Sequence, residues 1–447
     1  MRRLKFAGRA ILCGFMLLTM NGVQVRAADS VAIPLTAPAV HLGVSSCGGS
    51  SCHGALQPWP GSTVQQNEFI AWQTKDPHAK AYRTLTSERS KRIAKNLGLE
   101  TAYEAKICLD CHADNVPAEH RAKGFEISDG VGCESCHGGA VEWLGLHVGG
   151  KSDHAANVKA GMFPTDNPVA RAKLCLSCHF GDPDRFITHR IMGAGHPRLR
   201  FELDTFTATQ PAHFVVDADY VKRKTAPDHI KVWAIGQVTT IESLMDAMLD
   251  PKRNQSGIFP ELVFFDCHAC HHPMSNVRWE PRAGAGPGVP RVADANMIML
   301  GVFLDQFDAT RAADFHTKTM ALHQASLKGY DATVSAARAL KSTVTGMPER
   351  IAAMSWSQTQ MRALLLGVIA RGMQGGYAEY AAAEQATMAL SAILDAMRAG
   401  GALTPDQYKA LTALLNTCYA AVEKDEAYNP RQFLAALQTL EAAVPRA

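Results

Sequence analysis

The sequence lacks an excess of charge of either sign, and beyond its N-terminus it lacks any long apolar run. Its 447 residues include 45 Lys and Arg against 42 Asp and Glu. This composition excludes a polytopic membrane protein and the strongly basic surface with which proteins bind nucleic acid. With 19% charged and 47% apolar residues, the chain is not intrinsically disordered. It is long enough for one large domain or two to three ordinary ones.

The N-terminus has the features of a secretory signal peptide. Four basic residues within positions 2–9 precede an apolar stretch over 10–20, and Val25-Arg26-Ala27 offers a cleavage site after Ala27. An uncleaved anchor is the alternative. Removal of residues 1–27 leaves 40 basic against 42 acidic residues and no transmembrane segment. We therefore predict a mildly acidic, periplasmic protein that does not bind nucleic acid.

Cysteine and histidine, in contrast, are abundant, with 12 Cys and 18 His. Ten cysteines form five close pairs, and a His follows each pair directly. Four pairs have the spacing C-x-x-C-H, whereas the first has the wider spacing C-x4-C-H. The five motifs are Cys47, Cys52 and His53; Cys108, Cys111 and His112; Cys133, Cys136 and His137; Cys175, Cys178 and His179; and Cys267, Cys270 and His271.

C-x-x-C-H is the attachment motif of c-type haem. The two thiols add to the haem vinyl groups as thioethers, and the following His becomes the proximal ligand of the iron. Cysteine pairs also form redox dithiols or half of a zinc site, but neither requires a His directly after the second Cys. At the wider first motif a disulfide is the alternative, because export permits one. We predict five covalently attached haem c groups.

These motifs and the composition divide the chain into five regions. We predict a signal peptide over 1–27, a leader over 28–46, a pentahaem cytochrome c domain over 47–280, a Gly/Pro-rich linker over 281–292 and a C-terminal α-helical domain over 293–447. The predicted fold class is mainly α. Frequent Gly and Pro favour short helices and long haem-wrapping loops with little sheet. The Ala- and Leu-rich C-terminal region is expected to form an antiparallel bundle of five or six helices.

Local signals mark several helix ends. Asp76, followed by Pro77, is typical of a helix start within the stretch 67–97, and Gly98 is typical of its end. Thr404 and Asn429 are predicted N-caps, because each is followed by Pro and, three residues on, by Gln. Cys418 lies on an apolar stripe with helical spacing and is expected to be buried.

Several of these elements follow one another in a recognisable order over 47–179. The first motif precedes a helix with Trp72 and His78, the run GVGCESCHG surrounds the third motif, and His147 lies between the third and fourth motifs. In this order they resemble the tetrahaem cytochrome c-554 family of periplasmic electron carriers. The resemblance implies that His78 and His147 are distal haem ligands, and that the haem on His112 has an open sixth position. The wider first motif, the longer loop after it, the fifth motif and the C-terminal region depart from the family.

The distal ligands decide function, because an iron with two His ligands is saturated, whereas an open iron binds small molecules. His196 lies in the run GAGHPR, whose small residues allow a haem to approach closely, and we predict that it is a distal ligand. The sequence leaves five other histidines open as ligands: His120, His154, His189, His213 and His229. For His120 the alternative partner is a haem propionate. His41 precedes the first motif and is expected to be disordered. Four are expected not to bind iron, namely His268, His272, His316 and His323.

We predict a periplasmic multihaem electron carrier whose partners are other redox proteins of the periplasm or inner membrane. Its C-terminal helices are expected to dock a partner or to form a homodimer. The alternative is a redox enzyme that acts on a small nitrogen or sulfur compound at one open haem. Arg190, Arg198 and Arg200 would then bind an oxyanion instead of haem propionates. However, the sequence has no C-x-x-C-K, the catalytic motif of pentahaem nitrite reductases. A zinc-binding structural protein is the third class.

Overall fold

Helices are the regular elements of the structure, a computed structural model that describes residues 32–150, 153–255, 260–271 and 291–445. The predicted signal peptide, residues 28–31 of the leader and residues 281–290 of the linker lie outside these ranges, as do Cys13 and His272. The described residues contain no strand, only three isolated bridges. Nor do they contain a helix long and apolar enough to cross a membrane. The predicted mainly α fold is confirmed.

Short helices and long connections characterise the region up to the fifth motif, as expected. Its α-helices are α1 (Glu68–Lys75), α2 (Ala81–Thr84), α3 (Glu88–Leu97), α4 (Lys106–His112), α5 (Cys133–His137), α6 (Leu144–Val148), α7 (His154–Lys159), α8 (Pro168–His179), α9 (His189–Gly193), α10 (Leu203–Thr209), α11 (Ala218–Arg223), α12 (His229–Leu249) and α13 (Pro251–Asn254). Short 3-10 helices lie at Pro34–Thr36, Val44–Ser46, Pro77–Lys80, Ala118–His120, Ile127–Asp129, Leu262–Phe264 and Cys267–Ala269.

The C-terminal region is helical, but it has more helices than the five or six expected. Eight are described: α14 (Ala295–Phe307), α15 (Ala309–Ala325), α16 (Tyr330–Val344), α17 (Met347–Ala352), α18 (Gln358–Met373), α19 (Tyr380–Ala399), α20 (Pro405–Ala421) and α21 (Pro430–Ala443), with a 3-10 turn at Asp425–Ala427. Two breaks account for the difference. Asp308 ends α14 and caps α15 by accepting a hydrogen bond from the Arg311 N–H, and Gly346 separates α16 from α17.

The predicted caps lie where the sequence placed them, but the stretch from Asp76 to Gly98 is not one helix, because it is divided into the 3-10 helix Pro77–Lys80, α2 and α3. The Asp76 side chain accepts a hydrogen bond from the His78 N–H, with Pro77 in the first position of the following turn. Gly98 closes α3 in the left-handed conformation, with φ +76. Thr404 forms a full capping box with Gln407, and Asn429 caps α21. Side chains therefore satisfy the free N–H groups that each of these helices exposes at its start.

Among the described residues, apolar side chains pack into one large core and one small cluster. The large core joins α8, α12 and the C-terminal helices, and it includes Cys418, which is buried as expected. α12 lies between the fourth and fifth motifs in sequence and packs against α8, α10, α14, α16, α17 and α19. The small cluster consists of Leu85, Ala94, Ala102, Leu109 and Ala113. The region that carries the first three motifs thus has few apolar side chains to pack against one another.

Candidate haem sites

Each motif places its cysteines and histidine on one turn of backbone. The second motif forms the end of α4, the third forms α5 and the fourth forms the end of α8. Residues three apart on a helix share a face, so both thiols of a motif point to the same side. At the first motif the His53 N–H donates to the Cys47 carbonyl (3.2 Å), and at the fifth the His271 N–H donates to the Cys267 carbonyl (2.8 Å).

Every motif His faces a second His that comes from elsewhere in the chain. The ring centres are 5.9 Å apart for His53 and His147, 6.4 Å for His112 and His196, 6.3 Å for His137 and His213, 6.1 Å for His179 and His78, and 6.1 Å for His271 and His189.

This spacing fits two imidazoles on opposite sides of one metal. A bond from a metal to an imidazole nitrogen is about 2 Å long and the ring centre lies about 1 Å further on, so opposed rings have centres about 6 Å apart. Opposed rings can have any angle between their planes in this arrangement. The observed interplanar angles, 16° and 28° at two sites and 83° to 89° at the other three, are all compatible with it. The residues present therefore fit haem iron.

At four of these rings the hydrogen bond is made by Nδ1, so that Nε2 is the atom that can bind a metal. In each case the Nδ1 atom contacts a protein oxygen, and such a partner fixes the tautomer and orientation of a metal-binding His. The contacts are His53 to Glu68 (2.8 Å), His78 to Asp76 (2.9 Å), His112 to the Ala81 carbonyl (3.1 Å) and His196 to the Pro197 carbonyl (2.8 Å).

Other histidines use Nε2 differently. The Nε2 atoms of His154, His316 and His323 contact Asp166 (2.8 Å), Asp305 (2.9 Å) and Asp294 (3.2 Å). An Nε2 bound to a carboxylate is not available to iron. His229 bonds Asp204 through Nδ1 (3.0 Å), but no motif His is paired with it.

Burial keeps several of these rings neutral. It lowers the pKa of His137 to about 3 and that of His179 to about 4. A metal-binding imidazole must be neutral, so these environments suit a ligand. In contrast, the hydrogen bond to Glu68 raises the pKa of His53, and the bond to Asp76 raises that of His78.

Thiols of different motifs also lie next to one another. The Cys47 thiol lies beside that of Cys133, and the Cys111 thiol lies beside that of Cys178. Cys136 lies within electrostatic range of Cys178. Each haem site takes the number of its motif. The first site therefore adjoins the third, the third adjoins the fourth, and the fourth adjoins the second. The fifth site is linked to the second through the segment that carries both His189 and His196, since Arg198 in this segment lies within electrostatic range of Cys267. The order of these neighbours in space therefore differs from the order of the motifs in sequence.

The structure places all three predicted distal ligands opposite a motif His: His78, His147 and His196. It differs from the expectation of an open position at His112, because His196 lies there. Sequence reasoning did not single out His189 and His213. No local pattern distinguishes these two from His154 or His229. Only the fold shows that they face His271 and His137.

The arginines considered for oxyanion binding have protein partners. Arg198 Nη2 bonds Glu384 (3.0 Å), and Arg200 Nη2 lies 3.5 Å from Asp425. Both guanidinium groups also lie over the Tyr380 ring, at 5.2 and 5.6 Å. Arg190 donates to the Leu97 carbonyl (3.2 Å). Arg198 and Arg200 thus connect the segment after His196 to α19 and the turn that follows α20.

A comparison with protein families finds a match over part of the chain. Residues 46–138 match the family described as Cytochrome c554 and c-prime. The segment includes the first three motifs and His78, so the resemblance noted in the sequence is confirmed over this part of the chain. It supports haem c as the cofactor and electron transfer as the class of function. Neither the curated proteins nor the solved structures provide a match.

Proposed function

We propose that the protein is a multihaem electron carrier of the periplasm, with five covalently attached haem c groups. Each motif contributes two cysteines and the proximal His, and the distal ligands are His147, His196, His213, His78 and His189, in motif order. The observation that carries the proposal is that five motif histidines out of five face a second His about 6 Å away. The partners are other redox proteins of the periplasm or inner membrane.

Two-histidine ligation favours electron transfer over catalysis. Each haem supplies a site that gains or loses one electron, and two His ligands leave the iron no position for a substrate. The protein's part is to orient the imidazoles, as Glu68 and Asp76 do for His53 and His78. Carboxylates already pair with Arg198 and Arg200, so these side chains are not free to bind an oxyanion.

Haem counting and a redox titration of the purified protein test this proposal. We expect five haems per chain and five electrons taken up on full reduction. Replacement of Cys267 and Cys270 by Ser should remove one haem, because thioether attachment needs the thiols.

Cys418→Ala is the matched control, because this cysteine is buried in the core on α20 and belongs to no motif. It should retain five haems. A wild-type protein with fewer than five haems, or a control that also loses one, contradicts the proposal.

A further inference from the structure

One short segment supplies hydrogen-bond acceptors to ligands of two different haem sites. In segment 76–81, the Asp76 carboxylate accepts a hydrogen bond from Nδ1 of His78 (2.9 Å), and the Ala81 carbonyl accepts one from Nδ1 of His112 (3.1 Å). His78 belongs to the fourth site and His112 to the second. The segment therefore offers a charged acceptor to the fourth site and a neutral one to the second.

The Asp76 side chain is held in place and shielded from water. It is only 3% exposed. One carboxylate oxygen also accepts a hydrogen bond from the His78 backbone N–H (3.0 Å), and the other accepts one from the side-chain amide of Gln210 (3.1 Å), the residue that ends α10. Because water screens a buried charge weakly, the carboxylate acts strongly on the His78 ring.

Both ligands of the second site, in contrast, donate to neutral oxygens. Nδ1 of His112 bonds the Ala81 carbonyl, and Nδ1 of His196 bonds the Pro197 carbonyl (2.8 Å). A carboxylate that accepts a hydrogen bond from Nδ1 makes an imidazole a stronger electron donor than a carbonyl does. A stronger donor stabilises ferric iron more than ferrous iron, so the reduction potential falls. We therefore expect a lower potential at the fourth site than at the second.

The cations near these two sites do not reverse this difference. Arg89 donates to the Gly195 carbonyl (2.8 Å) and lies within electrostatic range of His196. A positive charge there favours ferrous iron, so it raises the potential of the second site. Arg185 lies within electrostatic range of a thiol of each site and so acts on both.

We propose that Asp76 is a positioning residue that, through His78, lowers the reduction potential of the fourth haem below that of the second. The two sites adjoin where the Cys111 thiol lies beside that of Cys178. An electron supplied by a reduced partner protein then passes from the fourth site to the second. The fourth iron returns from ferrous to ferric, the second iron goes from ferric to ferrous, and no proton moves. This inference rests on the proposed function as a multihaem electron carrier.

A redox titration of the haem-loaded mature protein, followed by its visible spectrum, tests the proposal. Asp76→Asn keeps an oxygen acceptor for Nδ1 of His78 but removes the charge. One of the five one-electron potentials should rise by about 59 mV or more, which corresponds to a tenfold change in the equilibrium constant. Gln210→Leu removes the amide that shares the carboxylate charge, so the same potential should fall.

The matched control is Asp166→Asn. Asp166 is also largely buried and bonds a histidine, at 2.8 Å from Nε2 of His154, but His154 is paired with no motif His. No potential should change as much as tenfold in this variant. His196→Ala identifies the second haem, because the altered step belongs to the iron that loses this ligand. In the wild type that step should lie at a higher potential than the step that Asp76→Asn moves.

Four results would overturn the proposal. These are an Asp76→Asn protein with no altered potential, an equal change in the control, a change of the same sign in Asp76→Asn and Gln210→Leu, and a moved step that lies above that of the second haem. Any of these in a protein with five haems and five electrons leaves the proposed function intact, whereas fewer than five haems contradicts that function itself. If reduced Asp76→Asn binds carbon monoxide, it has lost His78 as a ligand, and the fall in potential expected for Gln210→Leu decides.

Discussion

At the scale of residues, the choice of ring nitrogen excludes some histidines as iron ligands. At four of the paired rings Nδ1 bonds a protein oxygen, as at His112 and His196, whereas at His154 and His323 Nε2 bonds a carboxylate. A partner on Nδ1 does not by itself identify a ligand, because His41 and His229 also bond a carboxylate through Nδ1 and face no motif His. A partner on Nδ1 fixes the tautomer and the ring orientation that iron requires.

Replacement of His196 by Ala should open the iron at the second site. Without the ring that lies 6.4 Å from His112, that iron has one protein ligand and binds carbon monoxide when reduced. We expect a spectral change on addition of carbon monoxide that corresponds to one haem in five.

The control for this variant is His154→Ala, because the Nε2 atom of His154 bonds Asp166. It should show no such change. If both variants respond equally, or if neither does, His196 is not the distal ligand.

Some of the proposed ligand histidines could be predicted from the sequence, and others could not. Motif histidines follow from covalent chemistry, which fixes their spacing along the chain. His78 and His147 could be inferred because they hold family-like positions, and His196 because of its small neighbours. His189 and His213 could not, because their partners lie tens of residues away and only folding brings the rings together.

At the scale of elements, the loop before α5 shows how backbone geometry positions a ligand. Gly130 has φ +79, and a Cβ atom there would lie 2.8 Å from the His78 carbonyl. The Val131 N–H donates to the same carbonyl (3.1 Å). The close approach of this loop therefore fixes the turn that carries His78.

Gly130→Ala should accordingly displace His78 from its position opposite His179. Gly329→Ala is the matched control, because Gly329 also has a positive φ outside the left-handed helical region (φ +102, ψ −172) but has open space around its Cβ position. We expect the control to lose about 1 kcal/mol of unfolding free energy from backbone strain alone. Gly130→Ala should lose more, and its reduced form should bind carbon monoxide at one haem. Equal losses in denaturant titrations, with no carbon monoxide binding, would show that the contact is unimportant.

On α12, partial burial raises the pKa of Glu242 to about 7, against an ordinary value of 4.5. A pKa raised by folding means that the folded state binds the proton more tightly, so stability falls as the pH rises from about 4.5 to above 7. Glu242→Gln removes this effect. The variant should be more stable than the wild type by about 1–2 kcal/mol at pH 8, allowing for partial exposure, and no more stable at pH 4. Thermal unfolding at both pH values tests this, and the same difference at both would refute it.

At the scale of the whole molecule, the two halves are stabilised differently. The C-terminal helices, together with α8 and α12, have a large apolar core. In the described part of the region that carries the first three motifs, apolar side chains form the small cluster around Leu109. The sequence predicted the mainly α class, because composition and capping signals are local. It did not predict that α12 packs among the C-terminal helices, because that depends on contacts between residues far apart in the chain.

This difference predicts the state of the protein without haem. In hydrogen exchange, amides of the described residues 33–150 should lose protection in the haem-free form, because the apolar contacts of this region depend on the cofactor. Amides of α14 to α21 should remain protected by their own core. Uniform protection across both regions in the haem-free protein would contradict this account.

The central claim is that two His side chains hold each of five haem irons. Visible spectra of the dithionite-reduced wild-type protein, with and without carbon monoxide, test it most directly when haem is counted on the same sample. The account predicts five haems and no spectral change, because every iron is saturated. A change that corresponds to one haem or more would show an open iron, and would contradict the claim.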